Sequence, residues 1–283
     1  MTPHVVRTRA GIRAALGDDA PGLVPTMGAL HAGHAALIRR SVAENERTVV
    51  SIFVNPTQFS DQADLAAYPR SFDDDLATVA AAGADLVFAP TVGEMYPPGF
   101  STAVDVDGLS RRWEGASRPG HFRGVATVVA ILLGLIRPAR AYFGEKDYQQ
   151  LTIVRRLHAD LALPGVVVGC PTVRGADGLA LSSRNARLSA ADRATAAALP
   201  RALAVMADLA RDGVRDAARL EAAGCAELEA APEIEIDYLA VVDGATLEPV
   251  AEAAAGSRVL AAVRLGGVRL IDNIALPAPE SSP

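Results

Sequence analysis

The sequence predicts an α/β protein, with a doubly wound parallel sheet over residues 1–172 and a smaller α+β domain over residues 173–283. In the first part, short β-branched apolar runs alternate with segments of helix length, as in repeated βαβ units. Those runs are apolar throughout, which is typical of strands covered by helices on both faces. In the second part, helix-like segments precede three strand-like runs. A ligand of such a sheet binds at the carboxyl ends of the parallel strands.

The elements of the first domain follow in order from this alternation. The apolar stretch at 125–136 is flanked by Arg123 and Arg137 and is well short of the ~20 residues needed to span a bilayer, so we interpret it as a buried helix. The predicted strands cover 23–25, 48–54, 85–89, 139–143 and 166–169, and the predicted helices cover 33–45, 72–82, 125–136 and 148–161.

The second domain begins with an Ala-rich helix predicted over 189–212, for which Ser189 and Asp192 form an N-terminal capping pattern. Gly266-Gly267 is typical of a hairpin turn between the last two strands. The remaining predicted elements are a helix over 216–230 and strands over 235–242, 257–265 and 268–274.

Composition and charge exclude several classes of protein. Half of the 283 residues are apolar and 21% are charged, a globular composition that is neither disordered nor collagen-like. The formal net charge of −6 provides no global positive field for a nucleic acid. Residues 1–16 lack the apolar stretch of a signal peptide, and Cys170 and Cys225 are too few for a disulfide framework. We therefore expect a cytoplasmic protein that binds neither nucleic acid nor membrane.

The densest motif, Pro-Thr-Met-Gly-Ala-Leu-His-Ala-Gly-His at 25–34, follows a predicted strand and opens a predicted helix. Gly28 and Gly33 allow the backbone to approach a ligand closely, and the helix N-terminus presents N–H groups and a positive dipole to a phosphate. The imidazoles of His31 and His34 would then donate to phosphate oxygens. Alternatively, these residues only cap the helix. A zinc site would need a further ligand, and neither cysteine is near in sequence.

Two further segments carry cationic side chains in predicted turns. Gly144 to Asp147 follow a strand and precede a helix, so Lys146 would neutralise phosphate charge, while Asp147 would accept from ribose hydroxyls or cap the helix. Residues 181–185, Leu-Ser-Ser-Arg-Asn, follow the turn signal Asp177-Gly178 and suit a mobile polyphosphate clamp. Taken alone, each segment is also consistent with a solvated turn.

Amide side chains end another predicted strand. Asn55 and Gln58 follow the strand at 48–54, and Gln150 lies four residues after Lys146 on the next helix. Neutral amides both donate and accept, which suits a hydroxyl or a carboxylate that is about to lose its charge. The other interpretation of the first pair is an ordinary Asn-Pro turn.

Assembled in this order, the segments resemble the pantoate–β-alanine ligase (pantothenate synthetase) family, within the HxGH-bearing adenylyl-transfer superfamily. The His-x-Gly-His turn is shared across that superfamily, whereas Phe-Val-Asn-Pro-Thr-Gln-Phe and Phe-Gly-Glu-Lys-Asp-Tyr-Gln-Gln belong to this branch. Leu181 stands where the family usually has Met, and since Leu is a near-isosteric apolar residue, backbone contacts should survive. The resemblance covers 25–34, 51–59, 64–70, 120–129, 143–150, 171–185 and 270–274.

The resemblance implies ATP-dependent condensation of pantoate with β-alanine to pantothenate through a pantoyl adenylate, with release of AMP and pyrophosphate. It implies catalytic roles for His31, His34 and Lys146, with His34 as an acid. Gln58 and Gln150 would hold pantoate, and Gln58 would also touch β-alanine. ATP binding is implied for Met27, Gly28, Ala29, Leu30, His31, Ala32, Gly33, His34, Gly144, Glu145, Lys146, Asp147, Val173, Leu181, Ser182, Ser183 and Arg184.

The same resemblance implies Mg²⁺ with ATP, a homodimer, a Rossmann-like first domain and a second domain that acts as a lid. The residues identify neither the Mg²⁺ ligands nor the dimer interface. Two other functions stay open from the residues alone. A nucleotidyltransferase of the same superfamily would need a cationic acceptor pocket in place of the amides, and the third possibility is a non-catalytic nucleotide-binding module. Pyrophosphate release from ATP and pantoate distinguishes the three.

Overall fold

The computed structural model describes residues 2–277 and divides the chain into two compact units. The first unit runs to Glu145 and also includes Gln149–Pro171. The second unit comprises Lys146–Tyr148 and the chain from Thr172 onward. Three residues in the middle of the chain therefore belong to the unit formed by its C-terminal part.

The first unit contains a fully parallel sheet of six strands in the order β1-β4-β3-β2-β5-β6. Its strands are β1 His4–Val6, β2 Gly22–Thr26, β3 Thr48–Ile52, β4 Leu86–Phe88, β5 Arg140–Gly144 and β6 Val166–Cys170. The predicted doubly wound parallel sheet is confirmed. Of its strands, only β1 has no counterpart in the sequence-based prediction, since three residues carry too short a pattern to distinguish a strand from a loop.

Helices connect the strands of this sheet. They are α1 Arg9–Leu16, α2 Ala32–Glu44, α3 Gln62–Ala67, α4 Phe72–Ala82, α5 Val92–Met95, α6 Glu114–Ser117, α7 His121–Ile136 and α8 Tyr148–Asp160. The sheet's core side chains, among them Leu23, Val50 and Tyr142, are fully buried. Helix α7 begins earlier than predicted, directly after Gly120, whose φ of 80° is a left-handed conformation that favours glycine.

The second unit is the predicted helix-plus-antiparallel-sheet domain. Strands β7 Glu235–Asp243, β8 Ser257–Leu265 and β9 Val268–Ala275 pair in that order. The hairpin between β8 and β9 turns at Gly266 and Gly267, with φ of 56° and 74°. The helices are α9 Ala190–Ala196, α10 Ala198–Arg211 and α11 Ala217–Glu229.

The single helix predicted over 189–212 is in fact two, because the chain breaks at Ala197. Pro200 explains the break: it lacks an N–H and its ring would clash with the carbonyl four residues earlier in a continuous helix. In the first turn of α10 the same proline is tolerated. Among residues 2–277, no helix is both long and apolar enough to cross a membrane.

Candidate functional site

The order of the strands identifies where a ligand binds in the first unit. From β2 the chain continues to β3 and β4 on one side, whereas β5 and β6 lie on the other side. Strands β2 and β5 are neighbours, with Gly22 opposite Arg140 and Leu23 opposite Ala141. The direction of winding reverses between them, and open α/β sheets bind ligands in the crevice at that reversal, outside the carboxyl ends of the strands. We call this place the switch-point crevice.

The turn that follows β2 is held in an unusual backbone conformation. Gly28 and Ala29 both have positive φ, 82° and 51°. The hydroxyl of Thr26 accepts from the Gly28 N–H at 3.2 Å and donates to the Ser51 carbonyl on β3 at 2.7 Å. The turn is thus tied to the neighbouring strand before it enters helix α2.

The two histidines form the first turn of α2. The Gly33 N–H donates to Nδ1 of His31 at 3.1 Å, and the His31 N–H donates to Nδ1 of His34 at 3.3 Å. Their ring centroids are 4.2 Å apart. A nitrogen that accepts carries no proton, so each neutral ring holds its proton on Nε2. The backbone therefore selects the tautomer in which Nε2–H is the donor, and the predicted helix-capping role and the donor role are compatible.

Asp75 on α4 is a site residue that the sequence analysis missed. Its carboxylate is 2% exposed and accepts from the Ala29 N–H at 3.1 Å and the Leu30 N–H at 2.7 Å. Burial raises the pKa of this carboxyl, and the two backbone hydrogen bonds oppose the rise. A signal was present in the sequence, because Asp75 shares a helix face with Val79 and Ala82, the other buried residues of α4.

Gln58 and Asn55 lie after β3, in and before the short 3-10 helix Pro56–Gln58. The Asn55 side chain donates to Oε1 of Gln58 at 3.0 Å and to the Gly124 carbonyl at 3.1 Å. Its oxygen accepts from the Tyr96 hydroxyl at 2.8 Å. The Gln58 amide nitrogen is 2.9 Å from the sulfur of Met27. Gln58 is buried, and its amide orientation is set by its neighbours.

Helix α7 packs directly against this amide cluster. Nδ1 of His121 lies 2.8 Å from the backbone carbonyl oxygen of Gln58. At Gly124, a Cβ would overlap the backbone carbonyl of Thr57 and lie 2.6 Å from the backbone nitrogen of Gln58. The absence of a side chain at residue 124 therefore permits the close approach. Arg123, at the third residue of α7, is exposed, and its guanidinium could hold an anion.

Two adjacent glutamines on α8 have different roles. Gln149 is buried, accepts from the Glu114 N–H at 3.1 Å, and donates to the carbonyls of Leu109 and Arg112 at 2.8 and 2.9 Å. Gln150 is partly exposed, and its amide forms no hydrogen bond within residues 2–277. Of the two adjacent amides, the structure therefore uses that of Gln149 to fix a loop.

Lys146 lies in a turn whose backbone is hydrogen-bonded to another residue of the second unit. The Asn273 side chain on β9 donates to the Lys146 carbonyl at 2.9 Å. The Lys146 ammonium is 3.4 Å from an Asp147 oxygen, and its side chain is 19% exposed. Asn273 itself is fixed, because its N–H donates to Asp272 at 2.7 Å and its Oδ1 accepts from Arg258 at 2.5 Å.

Tyr148 fixes the other end of the same turn. The Arg258 guanidinium lies 3.6 Å from the centre of the Tyr148 ring, in cation–π geometry. The Tyr148 hydroxyl donates to the Gly244 carbonyl at 3.0 Å. These contacts explain why residues 146–148 belong to the second unit.

The other predicted nucleotide residues of the second unit lie on one folded segment. The Leu181 N–H donates to the Val173 carbonyl at 2.9 Å, which brings those two residues together. Arg174 makes a two-point ion pair with the buried Asp272, at 2.6 and 3.0 Å. The Ser182 hydroxyl accepts from the Arg184 N–H at 3.3 Å and begins the short 3-10 helix Ser183–Arg187.

The described residues divide the predicted site in two. Residues 27–34, Gly144, Glu145, Gln58 and Gln150 lie in the first unit. The other predicted residues, Lys146, Asp147, Val173, Leu181, Ser182, Ser183 and Arg184, lie in the second unit. Within residues 2–277, no group of three or more His, Cys, Asp or Glu side chains could hold a metal ion.

Comparison with known proteins gives matches along nearly the whole chain. A family model described as pantoate-beta-alanine ligase matches residues 4–275. The chain is 54% identical over 272 residues to the pantothenate synthetase of Thermus thermophilus, covering 96% of this chain and 98% of that protein. A crystal structure of pantothenate synthetase from Thermus thermophilus matches with a TM-score of 0.94 and 52% identity, covering 98% of this chain and 100% of that chain. A crystal structure of pantoate-beta-alanine ligase from Francisella tularensis, complexed with beta-gamma ATP and beta-alanine, matches with a TM-score of 0.79 and 32% identity, covering 96% and 97%.

Proposed function

Since this chain belongs to the pantoate-beta-alanine ligase family, it is an enzyme that condenses pantoate with β-alanine using ATP, and we propose that the acid is activated in the switch-point crevice. The observation that carries this placement is the pairing of two features at the carboxyl ends of adjacent strands. The turn after β2 leads into two adjacent imidazoles at the start of α2, and the segment after β3 offers an oriented amide.

The reaction requires one set of groups for the phosphates and another for the acid. An amine does not substitute at the acyl carbon of a carboxylate at neutral pH, because the leaving group would be an oxide equivalent. The pantoate carboxylate therefore attacks the α-phosphorus of ATP, which forms an acyl–phosphate bond and expels pyrophosphate. The β-alanine nitrogen then attacks the acyl carbon and expels AMP. The protein supplies positioning and charge neutralisation for both steps.

His31 and His34 are assigned to the phosphates. Their fixed tautomers leave the proton on Nε2 as a donor in the first turn of α2, where the helix dipole also favours negative charge. As pyrophosphate departs, charge develops on its oxygens, so donors that are already oriented favour the transition state. His34 is assigned the acid role by the resemblance: in the neutral tautomer it donates a hydrogen bond from Nε2–H to the leaving oxygens, and transfer of a proton requires a protonated ring that has given up the bond from the His31 N–H.

Gln58 and Gln150 are assigned to pantoate, and Gln58 also to β-alanine. Support comes from the Gln58 amide, whose oxygen is occupied by Asn55 so that its nitrogen serves as donor, and from the uncommitted amide of Gln150. An arginine or lysine at these positions would withdraw charge from the attacking carboxylate and lower its nucleophilicity. Amides orient the carboxylate with less charge withdrawal.

In the second unit, Lys146, Ser182, Ser183 and Arg184 are assigned to the departing pyrophosphate. Lys146 is the only lysine among the 283 residues, and all the other residues in the combined Lys and Arg count are arginines. An ammonium is a compact point charge with three rotatable donors, which a planar guanidinium cannot reproduce. A chain that otherwise uses arginine thus keeps lysine where a phosphate contact is proposed.

Mg²⁺ enters the proposal as the counter-ion of ATP. Because no cluster of three ligands exists within residues 2–277, the ion would take its ligands largely from phosphate oxygens and water, as Mg²⁺ does in many phosphoryl-transfer enzymes. The homodimer and the lid role of residues 173–283 stay predictions from the resemblance, and the cytoplasmic location and the boundary at residues 172–173 stay predictions from the sequence.

The test follows pyrophosphate and AMP separately. With ATP and pantoate but no β-alanine, we expect about one pyrophosphate per active site and a bound pantoyl adenylate; later addition of β-alanine releases AMP and pantothenate. Release of both products only when β-alanine is present would contradict a stepwise adenylate. A nucleotidyltransferase would instead turn over with a phosphorylated alcohol, and a binding module would release nothing.

A further inference from the structure

The side chain of Asp75 lies where the periodicity of α4 calls for an apolar residue. Asp75, Val79 and Ala82 are the buried positions of that helix, whereas the neighbouring Asp73 and Asp74 are exposed. A carboxylate on the core side of a helix weakens packing and loses its hydration. A function other than stability therefore has to account for it.

Both oxygens of Asp75 are used by one turn. Oδ2 accepts from the Ala29 N–H at 3.1 Å and Oδ1 from the Leu30 N–H at 2.7 Å. These are the residues directly before His31. Asp75 forms no ion pair within residues 2–277, and the nearby charge of Asp74 repels it. The two amides are thus the groups that compensate its burial.

The turn itself needs such support. Ala29 has a φ of 51°, a left-handed conformation in which a residue with a Cβ is strained. Gly28 precedes it with a φ of 82°, and a Cβ at Gly28 would lie 2.7 Å from Oδ2 of Asp75. The carboxylate therefore occupies the space that a side chain at residue 28 would fill, and it fixes two successive N–H groups on the inner side of the turn.

We propose that Asp75 is a positioning residue for ATP: it holds Ala29 and Leu30 in the conformation that aims the following histidines at the phosphates. The inference rests on the proposed nucleotide role of that turn. It assigns to α4, a helix without any predicted ligand residue, control over the geometry of adenylation. Asp75 does not itself touch the substrate.

The experiment compares Asp75→Asn with Asp73→Asn, which makes the same change of charge at an exposed position in the first turn of α4. The Asn side chain has one acceptor oxygen where Asp has two. One of the two N–H groups of the turn would therefore face an NH₂ group, which cannot accept its hydrogen bond. We expect the Kd and KM for ATP to rise about tenfold or more in Asp75→Asn, with a KM for pantoate within about twofold of wild type. The melting temperature should stay within ~3 °C, because removing a buried charge offsets the lost hydrogen bond. Asp73→Asn should match wild type.

A second variant acts on the other side of the contact. Ala29→Val places a β-branched residue at positive φ, where it is strongly disfavoured, and should produce the same loss of ATP affinity with Asp75 intact. Conversely, Ala29→Gly in the Asp75→Asn background should recover part of that affinity, since glycine adopts the turn without strain. A purely structural role for Asp75 predicts no such recovery.

Two results with Asp75→Asn would overturn the inference: an unchanged affinity for ATP, or equal losses of affinity for ATP and for pantoate. If Asp75→Asn does not fold, wild-type affinity for ATP in Ala29→Val would overturn it. Failure of the proposed function is recognised separately, because wild-type protein would then release no pyrophosphate from ATP and pantoate.

Discussion

The side chain of Asn55 donates to the side-chain oxygen Oε1 of Gln58 at 3.0 Å, and this bond fixes which way round the glutamine amide is held. Asn55 cannot exchange its own oxygen and nitrogen without loss, because its nitrogen also donates to the Gly124 carbonyl and its oxygen accepts from Tyr96. The orientation of one neutral donor is thus built into the fold. Four predictions follow from this and the other contacts of the site.

Gln58→Ala should weaken pantoate binding selectively. Removal of an oriented donor leaves a substrate oxygen partly unpaired, which costs about 1–3 kcal/mol and raises the pantoate KM roughly tenfold to hundredfold. ATP binding measured without pantoate should hardly change. The control is Gln62→Ala, at an exposed glutamine on α3. If Gln58→Ala abolishes ATP binding and spares pantoate, the acid has to be sought nearer Arg123.

His34→Gln and His34→Ala should both slow the burst of pyrophosphate, with Ala the more severe. Gln keeps a donor but carries no extra proton, and Ala also removes the acceptor of the His31 N–H, a capping interaction worth about 0.5–2 kcal/mol of stability. Rapid-quench measurement of pyrophosphate gives the rate, and His4→Ala on β1 is the control. Normal pyrophosphate release by His34→Ala would leave helix capping as a sufficient explanation of the residue.

Lys146→Ala should lower the adenylation rate by about 10²-fold or more, because it removes a charge contact that strengthens as pyrophosphate leaves. Lys146→Arg should restore only part of the rate. Since Lys146 is the only lysine, an acylating reagent has one side-chain amine to modify, and peptide mapping separates it from the α-amino group. ATP should protect it; labelling at an equal rate with and without ATP contradicts the phosphate role.

Asn273→Ala should impair the enzyme through Lys146 and not through a substrate contact. Loss of the bond to the Lys146 carbonyl frees that turn, so the adenylation rate should fall about tenfold, while the KM for pantoate is unchanged. The readout specific to positioning is the acylation rate of Lys146, which should increase. An unchanged labelling rate together with lower activity would mean that Asn273 acts by some other route.

The sequence was most informative where its signals are local. The alternation of apolar runs identified five of the six parallel strands, and the glycine-flanked histidines identified the turn after β2. The break at Ala197 was also visible, since Pro200 stands inside the predicted helix, but the Ala-rich pattern on both sides obscured it. Short elements such as β1 carry too few residues to show a period.

The residues that orient the site could not be found this way, because their partners are remote in sequence. Asp75 lies 45 residues from Leu30, and Asn273 lies 127 residues from Lys146. No spacing rule connects such pairs, which come together only when the chain folds. Asp75 at least departs from its helix periodicity, whereas Asn273 sits in an ordinary strand and gives no signal of its own.

The missing side chain at residue 124 has a consequence for how this enzyme tolerates mutation. Gly124 binds nothing through a side chain, yet any Cβ there would push α7 away from the backbone of Thr57 and Gln58 and so disturb the segment that carries the Gln58 amide. A saturation library selected for growth without added pantothenate should therefore be depleted of every substitution at residue 124, including alanine. Such a position would score as a substrate contact in a mutational scan, although what selection preserves there is the close approach of two backbone segments.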